Sequence, residues 1–254
     1  MIDTHCHLDY CQHPEQAADP TLRAMVSIGT NVERSQKTLL LAETYSNVWA
    51  AVGIHPNNAS DAKSLEVRQA IQAMAKHPKV VGIGETGFDT YWDDETLETQ
   101  AESFLWQAEL ARSLNKPLIL HVRDKENHQE ASLMACEMLK QANYTKGILH
   151  CFNGHQDLLE TGLGLGWMVS FAGNLTYKKA LELHRVAKLL PKEKIMLETD
   201  SPFLAPIPKR GQKNQPAYVR YTAAFLAELR GETLEEIEHY TDANARSIYD
   251  FALS

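Results

Sequence analysis

The chain has 254 residues and a formal net charge of −8, with 44% hydrophobic and 23% charged residues. That length fits one (β/α)8 barrel, typically about 250 residues, and the ordinary apolar and charged fractions exclude a disordered or low-complexity chain. The acidic balance excludes a wide basic surface for duplex DNA, but a local basic loop and a bound cation can still hold a phosphate.

Taken in chain order, short apolar runs alternate with amphipathic stretches. Strands are predicted at Met1–His5, Ala24–Ile28, Val48–Val52, Val80–Gly84, Pro117–His121, Lys146–His150, Met168–Phe171 and Ile195–Glu198. Helices are predicted near Glu33–Tyr45, Leu65–Lys76, Thr96–Leu114, Gln129–Gln141, Gln156–Leu163 and Thr176–Leu190, then Tyr218–Leu229 and Leu234–Phe251. The segment after the first strand lacks a helical pattern. Phe104, Ala108 and Ala111 share one helical face at i, i+4 and i+7, and Thr233 with Glu236 makes a capping box. The apolar runs are too short for helices and are bounded by Gly, Asn or Pro, as buried parallel strands are. Eight βα repeats predict a TIM-type (β/α)8 barrel in a single domain, residues 1–254, with an open doubly wound sheet as the alternative.

The cysteines Cys6, Cys11, Cys136 and Cys151 show no CxxC pairing. The chain opens without a signal-peptide pattern, and no apolar run reaches the roughly 20 residues that span a bilayer. A reducing, cytoplasmic setting with free thiols and no membrane is the expectation.

The chemistry lies in where the His and carboxylate residues fall. His5 and His7 close the first strand, Glu85 follows the fourth, His121 and His150 end the fifth and sixth, and Asp200 follows the eighth. In a parallel barrel these ends share one face, where barrel active sites sit. Alternation along a strand predicts Asp3, His5 and His7 on one side with Thr4 and Cys6 opposite, and Glu198 with Asp200 on one side if the chain stays extended. Of the eleven His, His13, His77, His128, His155, His184 and His239 lack strand-end placement and are read as surface or structural. Imidazole and carboxylate donors suit Zn²⁺, Mn²⁺ and similar divalent ions. Four His and two carboxylates exceed one four-coordinate site, so two metals bridged by Glu85 are expected, able to activate water and stabilise a leaving oxygen.

The sequence resembles the TatD-type metal-dependent deoxyribonucleases. The resemblance rests on Met1-Ile2-Asp3-Thr4-His5-Cys6-His7-Leu8-Asp9, Gly53-Ile54-His55-Pro56, Gly82-Ile83-Gly84-Glu85-Thr86-Gly87-Phe88-Asp89 and Pro117-Leu118-Ile119-Leu120-His121-Val122-Arg123-Asp124. It continues through His150-Cys151-Phe152-Asn153-Gly154, Glu198-Thr199-Asp200-Ser201-Pro202-Phe203-Leu204-Ala205-Pro206 and Arg210-Gly211-Gln212-Lys213-Asn214-Gln215-Pro216. It implies a TIM barrel with one to three divalent ions. It also implies hydrolysis of phosphodiesters in DNA, often 3′-to-5′ on single strands, with the six residues above as ligands. Phe88, Thr90, Asn153, His155, Gln212 and Gln215 depart from the family pattern, which bears on substrate preference more than on the metal site. Many amidohydrolases with an HxH start bridge their metals through a modified Lys at the end of strand four, where this chain has Glu85.

The expected mechanism has Asp200 take the proton of a metal-activated water, with Glu85 as the second catalytic carboxylate. Phosphate contacts are expected from His55, Arg123, Lys209, Arg210 and Lys213, since Arg pairs two donors with phosphate. Tyr91 and Trp92 are candidates to stack a base. The expected substrate is DNA or RNA with single-stranded ends, the ions Mg²⁺, Mn²⁺ or Zn²⁺, and no protein partner is implied. The alternatives are an ester or amide hydrolase, such as a D-aminoacyl-tRNA deacylase, and a non-catalytic metal-bearing scaffold.

Overall fold

The computed structural model describes residues 1–92 and 94–251. Strand β1 (Ile2–Cys6) leads through a 3-10 turn (Leu8–Tyr10) to the single-turn helix α1 (Pro14–Ala17). Then come β2 (Ala24–Ile28), α2 (Val32–Thr44), β3 (Val48–Val52), a 3-10 stretch (Pro56–Lys63), α3 (Leu65–Ala75) and β4 (Val80–Asp89). They are followed by α4 (Leu97–Leu114), β5 (Leu118–Arg123), α5 (Glu130–Ala142), β6 (Gly147–Leu149) and α6 (Gln156–Gly164). The chain finishes with β7 (Met168–Phe171), α7 (Leu181–Leu189), β8 (Ile195–Leu197), α8 (Val219–Arg230) and α9 (Leu234–Ile248).

The eight strands pair in sequence order, all parallel. The two edges of the sheet meet just beyond the strands: Asp200 N donates to His5 O (2.9 Å) and His7 N to Ser201 O (2.7 Å). This makes a TIM-type barrel and removes the open-sheet alternative.

Alternation divides each strand between two environments. Met25, Ala50, Val52, Leu118, Leu120 and Val169 pack beneath the helices with Phe104, Ala108 and Ala111 of α4. Ile2, Val26, Ala51, Val81, Ile119, Ile148 and Met196 form the interior cluster with Tyr249. Tyr249, 1% exposed, follows α9 and donates its hydroxyl to Thr4 O at 3.2 Å. Above this apolar floor the hydroxyls of Thr4 and Ser170 stand 3.3 Å apart. The interior is therefore filled, as in barrels generally, and polar chemistry is left to the C-terminal mouth.

Two differences from the sequence expectations matter. Strand β4 runs on to Asp89, so Glu85 lies within it rather than after it. Against β5 its register slips between Ile83 and Thr86, an extra residue on β4, which is a bulge that re-aims the side chain there. Gly84 (φ 128°) and Gly87 (φ 143°) allow it: a Cβ on Gly87 would lie 2.0 Å from His121 O. Helix α7 begins at Leu181 instead of Thr176. The Thr176 hydroxyl donates to Gly173 O and accepts from Ile207 N, tying that segment to the loop after β8. Among the described residues, the peptides Gly84–Glu85, Ser201–Pro202 and Ile207–Pro208 are cis.

Candidate metal centre

The residues nominated by strand ends converge. Glu85 is the hub: its carboxylate oxygens lie 3.6 Å from His5 Nε2, 3.6 Å from His7 Nε2, 3.6 Å from His121 Nδ1 and 3.3 Å from His150 Nε2. His55 Nε2 stands 3.9 Å away. Asp200 Oδ1 is 3.3 Å from His7 Nε2 and 3.8 Å from His5 Nε2. The His5 and His150 rings stack with centroids 3.5 Å apart.

A register slip on β1 between Asp3 and Cys6 helps set this arrangement. His5 and His7 share a side, their Nε2 atoms 3.4 Å apart. Asp3 does not join them, contrary to simple alternation. It accepts from Thr199 N (2.9 Å) and Thr199 Oγ1 (2.6 Å) and so clamps the segment after β8. Asp200 is not extended either. It has φ 55°, held by its N–H to His5 O and by Phe203 N donating to its carbonyl at 2.8 Å. A non-glycine residue at positive φ costs on the order of 1–3 kcal/mol and persists where its surroundings fix it.

The donor set fits divalent cations. Most of these contacts are too long for hydrogen bonds, whereas donors sharing one ion at about 2.1 Å stand about 3–3.5 Å apart. The acceptors Glu85 Oε2 and Glu198 Oε2 are buried without hydrogen-bond partners, as are the ring nitrogens His5 Nδ1 and His150 Nδ1. Buried acceptors of this kind are costly unless something completes them.

Contacts at the far ring nitrogens sort the imidazoles. His7 Nδ1 faces Ile28 O at 3.2 Å and His121 Nε2 faces Asp89 Oδ2 at 3.0 Å, while His150 Nδ1 lies 2.8 Å from Glu198 Oε1 without hydrogen-bond geometry. An acceptor at one nitrogen places the proton there and frees the other lone pair for a metal. In His7 the freed atom is Nε2 and in His121 it is Nδ1, and both point to Glu85, as His150 Nε2 does. His55 is the reverse. Its Nδ1 accepts from Asn57 N at 3.1 Å, so its Nε2 carries the proton and faces the centre as a donor. Distance alone groups His55 with Glu85 and His121 as a metal-capable set; the hydrogen bond separates it.

The same carboxylates also favour a second proton on the His7 and His121 imidazoles, the one a bound cation would displace. Burial disfavours ionised Glu85, but His121, His55, His5 and His150 outweigh it and hold its carboxyl well below the usual range. Burial also opposes charge on His121 and His7, yet Asp89 with Glu85, and Asp200 with Glu85, push each up to about 9. Burial and His150 press His5 down, and burial with His121 lowers His55 to about 3.

Asp89 and Glu198 went unassigned in the sequence reading. Asp89 lies at i+4 from Glu85 on β4, a relation the sequence hides because the strand runs five residues past the predicted Val80–Gly84. Asp124, which follows β5, accepts from Ala131 N and Ser132 N and caps α5.

A cavity of about 1000 Å³ opens above the centre, with Tyr10, Trp92, Arg123, Asn153, His155 and Phe203 among its walls. His128 and His155, read as surface or structural, line it too; His155 Nδ1 also accepts from Leu158 N to cap α6. His55 and Arg123 line it, whereas Lys209, Arg210 and Lys213 do not. Lys209 Nζ lies 5.3 Å from the Tyr218 ring and the Arg210 guanidinium 4.3 Å from the Tyr177 ring.

The sequence model of the family described as TatD related DNase matches residues 2–250. The chain is 34% identical over 258 residues to the metal-dependent hydrolase YabD of Bacillus subtilis, covering 98% of each. It is 34% identical over 234 residues to the 3′-5′ ssDNA/RNA exonuclease TatD of Klebsiella pneumoniae, covering 90% of this chain and 87% of that protein. The crystal structure of YJJV, a TatD homologue from Escherichia coli K12, superposes with a TM-score of 0.88 at 29% identity, covering 99% of this chain and 98% of that one. Barrel, donor set and a match along nearly the whole length agree: the chain belongs to the TatD-related DNase family and is a metal-dependent hydrolase.

Proposed function

We propose that this protein hydrolyses phosphodiester bonds of single-stranded DNA or RNA from the 3′ end, using two divalent ions, Mg²⁺, Mn²⁺ or Zn²⁺, held by His5, His7, Glu85, His121, His150 and Asp200. The observation that carries the reading is the buried Glu85 carboxylate ringed by imidazole nitrogens at the base of an open cavity. The substrate follows the Klebsiella relative described as an ssDNA/RNA exonuclease. The ions, when bound, supply Lewis acidity that acidifies water and polarises a phosphoryl oxygen.

The protein's own groups do the rest. Glu85 is held in place among the imidazoles, where its carboxylate would help to hold the cations. Asp200, whose side chain is 15% exposed against 4% for Glu85, reaches the cavity and takes the proton of the attacking water. His55 donates from Nε2 to a phosphate oxygen, and Arg123 adds a charge-assisted pair of donors at the wall. Lys209, Arg210 and Lys213 stand outside the cavity and would meet only the more distant phosphates of a longer strand. Unpaired Cys6, Cys11, Cys136 and Cys151 support a reducing, cytoplasmic location, and no helix among the described residues is long and apolar enough to cross a membrane.

The test is degradation of end-labelled single-stranded DNA by metal-stripped protein with each ion restored, using Asp200→Asn as the control. Metal-restored shortening from the 3′ end, reduced about 10²–10⁴-fold in the variant, is expected. No shortening by metal-loaded protein would overturn the nuclease reading and favour ester hydrolysis on a charged tRNA.

A further inference from the structure

Among the described residues, the Phe, Tyr and Trp side chains that stand exposed are Tyr10, Tyr91, Trp92 and Phe203, at 40%, 44%, 57% and 49%. All four follow the C-terminal ends of strands, Tyr10 after β1, Phe203 after β8, and Tyr91 and Trp92 after β4. They form two pairs. Tyr10 and Phe203 have ring centroids 6.0 Å apart, Tyr91 and Trp92 4.9 Å apart.

Each pair carries one arginine. The Arg34 guanidinium sits 3.9 Å from the Tyr10 ring centre, and that of Arg123 sits 3.7 Å from Tyr91 and 5.7 Å from Trp92. Each is also seated by a buried aspartate. Asp9 Oδ2 holds Arg34 Nη1 at 2.9 Å, and Asp89 Oδ1 accepts from Tyr91 N and Trp92 N. The β8–β1 and β4–β5 seams are four strands apart in a ring of eight, so the pairs stand on opposite sides of the barrel axis. Phe203 and Tyr10 lie edge-on to His7, and the Asp89 that accepts from Tyr91 N and Trp92 N also holds His121.

Exposed aromatic faces grouped at a site mark a binding surface. Aromatic faces beside cations match successive bases and phosphates of a single strand, whatever the sequence. A duplex hides its base faces in the stack. We propose that Tyr10–Phe203 and Tyr91–Trp92 are two base platforms that hold the nucleotides on either side of the scissile phosphate of a single-stranded oligonucleotide. The inference rests on the nuclease reading and adds a minimum substrate: one base per platform.

The test uses metal-loaded full-length protein and slowly cleaved phosphorothioate oligothymidylates of one, two and four nucleotides. Trp92 is a built-in reporter, because Trp49 and Trp167 are 5% and 1% exposed and Trp106 is packed against the core. Affinity is expected to rise about tenfold or more from one nucleotide to two, with quenching of Trp emission. Tyr10→Ala and Trp92→Ala should each abolish that gain, read by anisotropy of a labelled tetranucleotide, and Trp92→Phe should restore most of it. Affinity independent of length, or alanine variants that melt like the parent and keep its length dependence, would overturn the platforms. Hydrolysis of the unmodified tetranucleotide is scored separately. Hydrolysis with length-independent binding sinks the platforms alone, whereas length-dependent binding without hydrolysis supports them and sinks the nuclease reading.

Discussion

At the scale of single residues, the tautomers give the sharpest expectations. His55 and His121 both lie within 4 Å of Glu85, yet their opposite nitrogens are engaged differently. His121→Ala should lower metal bound per chain. His55→Ala should leave metal content unchanged while kcat/KM falls about 10–100-fold, the worth of a hydrogen bond to a charged group. Metal analysis beside kinetics checks this; loss of metal in His55→Ala would make His55 a ligand. The convergence of the six residues was legible because strand ends in a parallel barrel share a face. The far-side partners were not. Ile28 is read as an apolar strand residue, and only its backbone carbonyl does the work. The run Lys209–Lys213 was legible as charge but not as position: the sequence cannot say that Lys209 turns to tyrosine rings instead of the cavity.

At the scale of elements, alternation worked where strands are regular and failed at bulges. Strands β2, β3 and β7 run over the residues expected. On β1 and β4 an extra residue changes the phase of everything beyond it, and nothing in a period-two pattern marks such a step except, on β4, the glycines that permit it. Gly87→Ala tests their importance. Its new Cβ would meet a backbone carbonyl of β5, which cannot swing aside as a flexible side chain can. We expect a cost of about 3 kcal/mol or more, a Tm lower by at least about 6 °C, and weaker metal binding as His121 is displaced. A melting curve within about 1 °C of the parent would show that β4 yields without consequence. The capping box at Thr233 and Glu236 formed as its spacing predicts, since it depends only on residues three apart.

At the scale of the molecule, the centre concentrates carboxylates and imidazoles from β1, β4 and β5 and from the segments that follow β1, β3, β6 and β8. Its ions should therefore hold the barrel mouth together as well as serve chemistry. At free metal 100-fold above Kd, binding to the folded state alone adds about 2.7 kcal/mol, a Tm rise of about 5–10 °C for a chain of this size. Calorimetry with chelator and with metal restored measures it, and an unchanged Tm would mean that the site is equally formed and held without ions. The seam where His5 O accepts from Asp200 N has one more implication, for how the donor set becomes complete. His5 and His7 stand at one edge of the sheet and Asp200 just past the other, so they become neighbours only when the two edges meet. Ring closure and completion of the donor set are therefore one event, and a chain whose barrel is still open carries the imidazoles without this carboxylate.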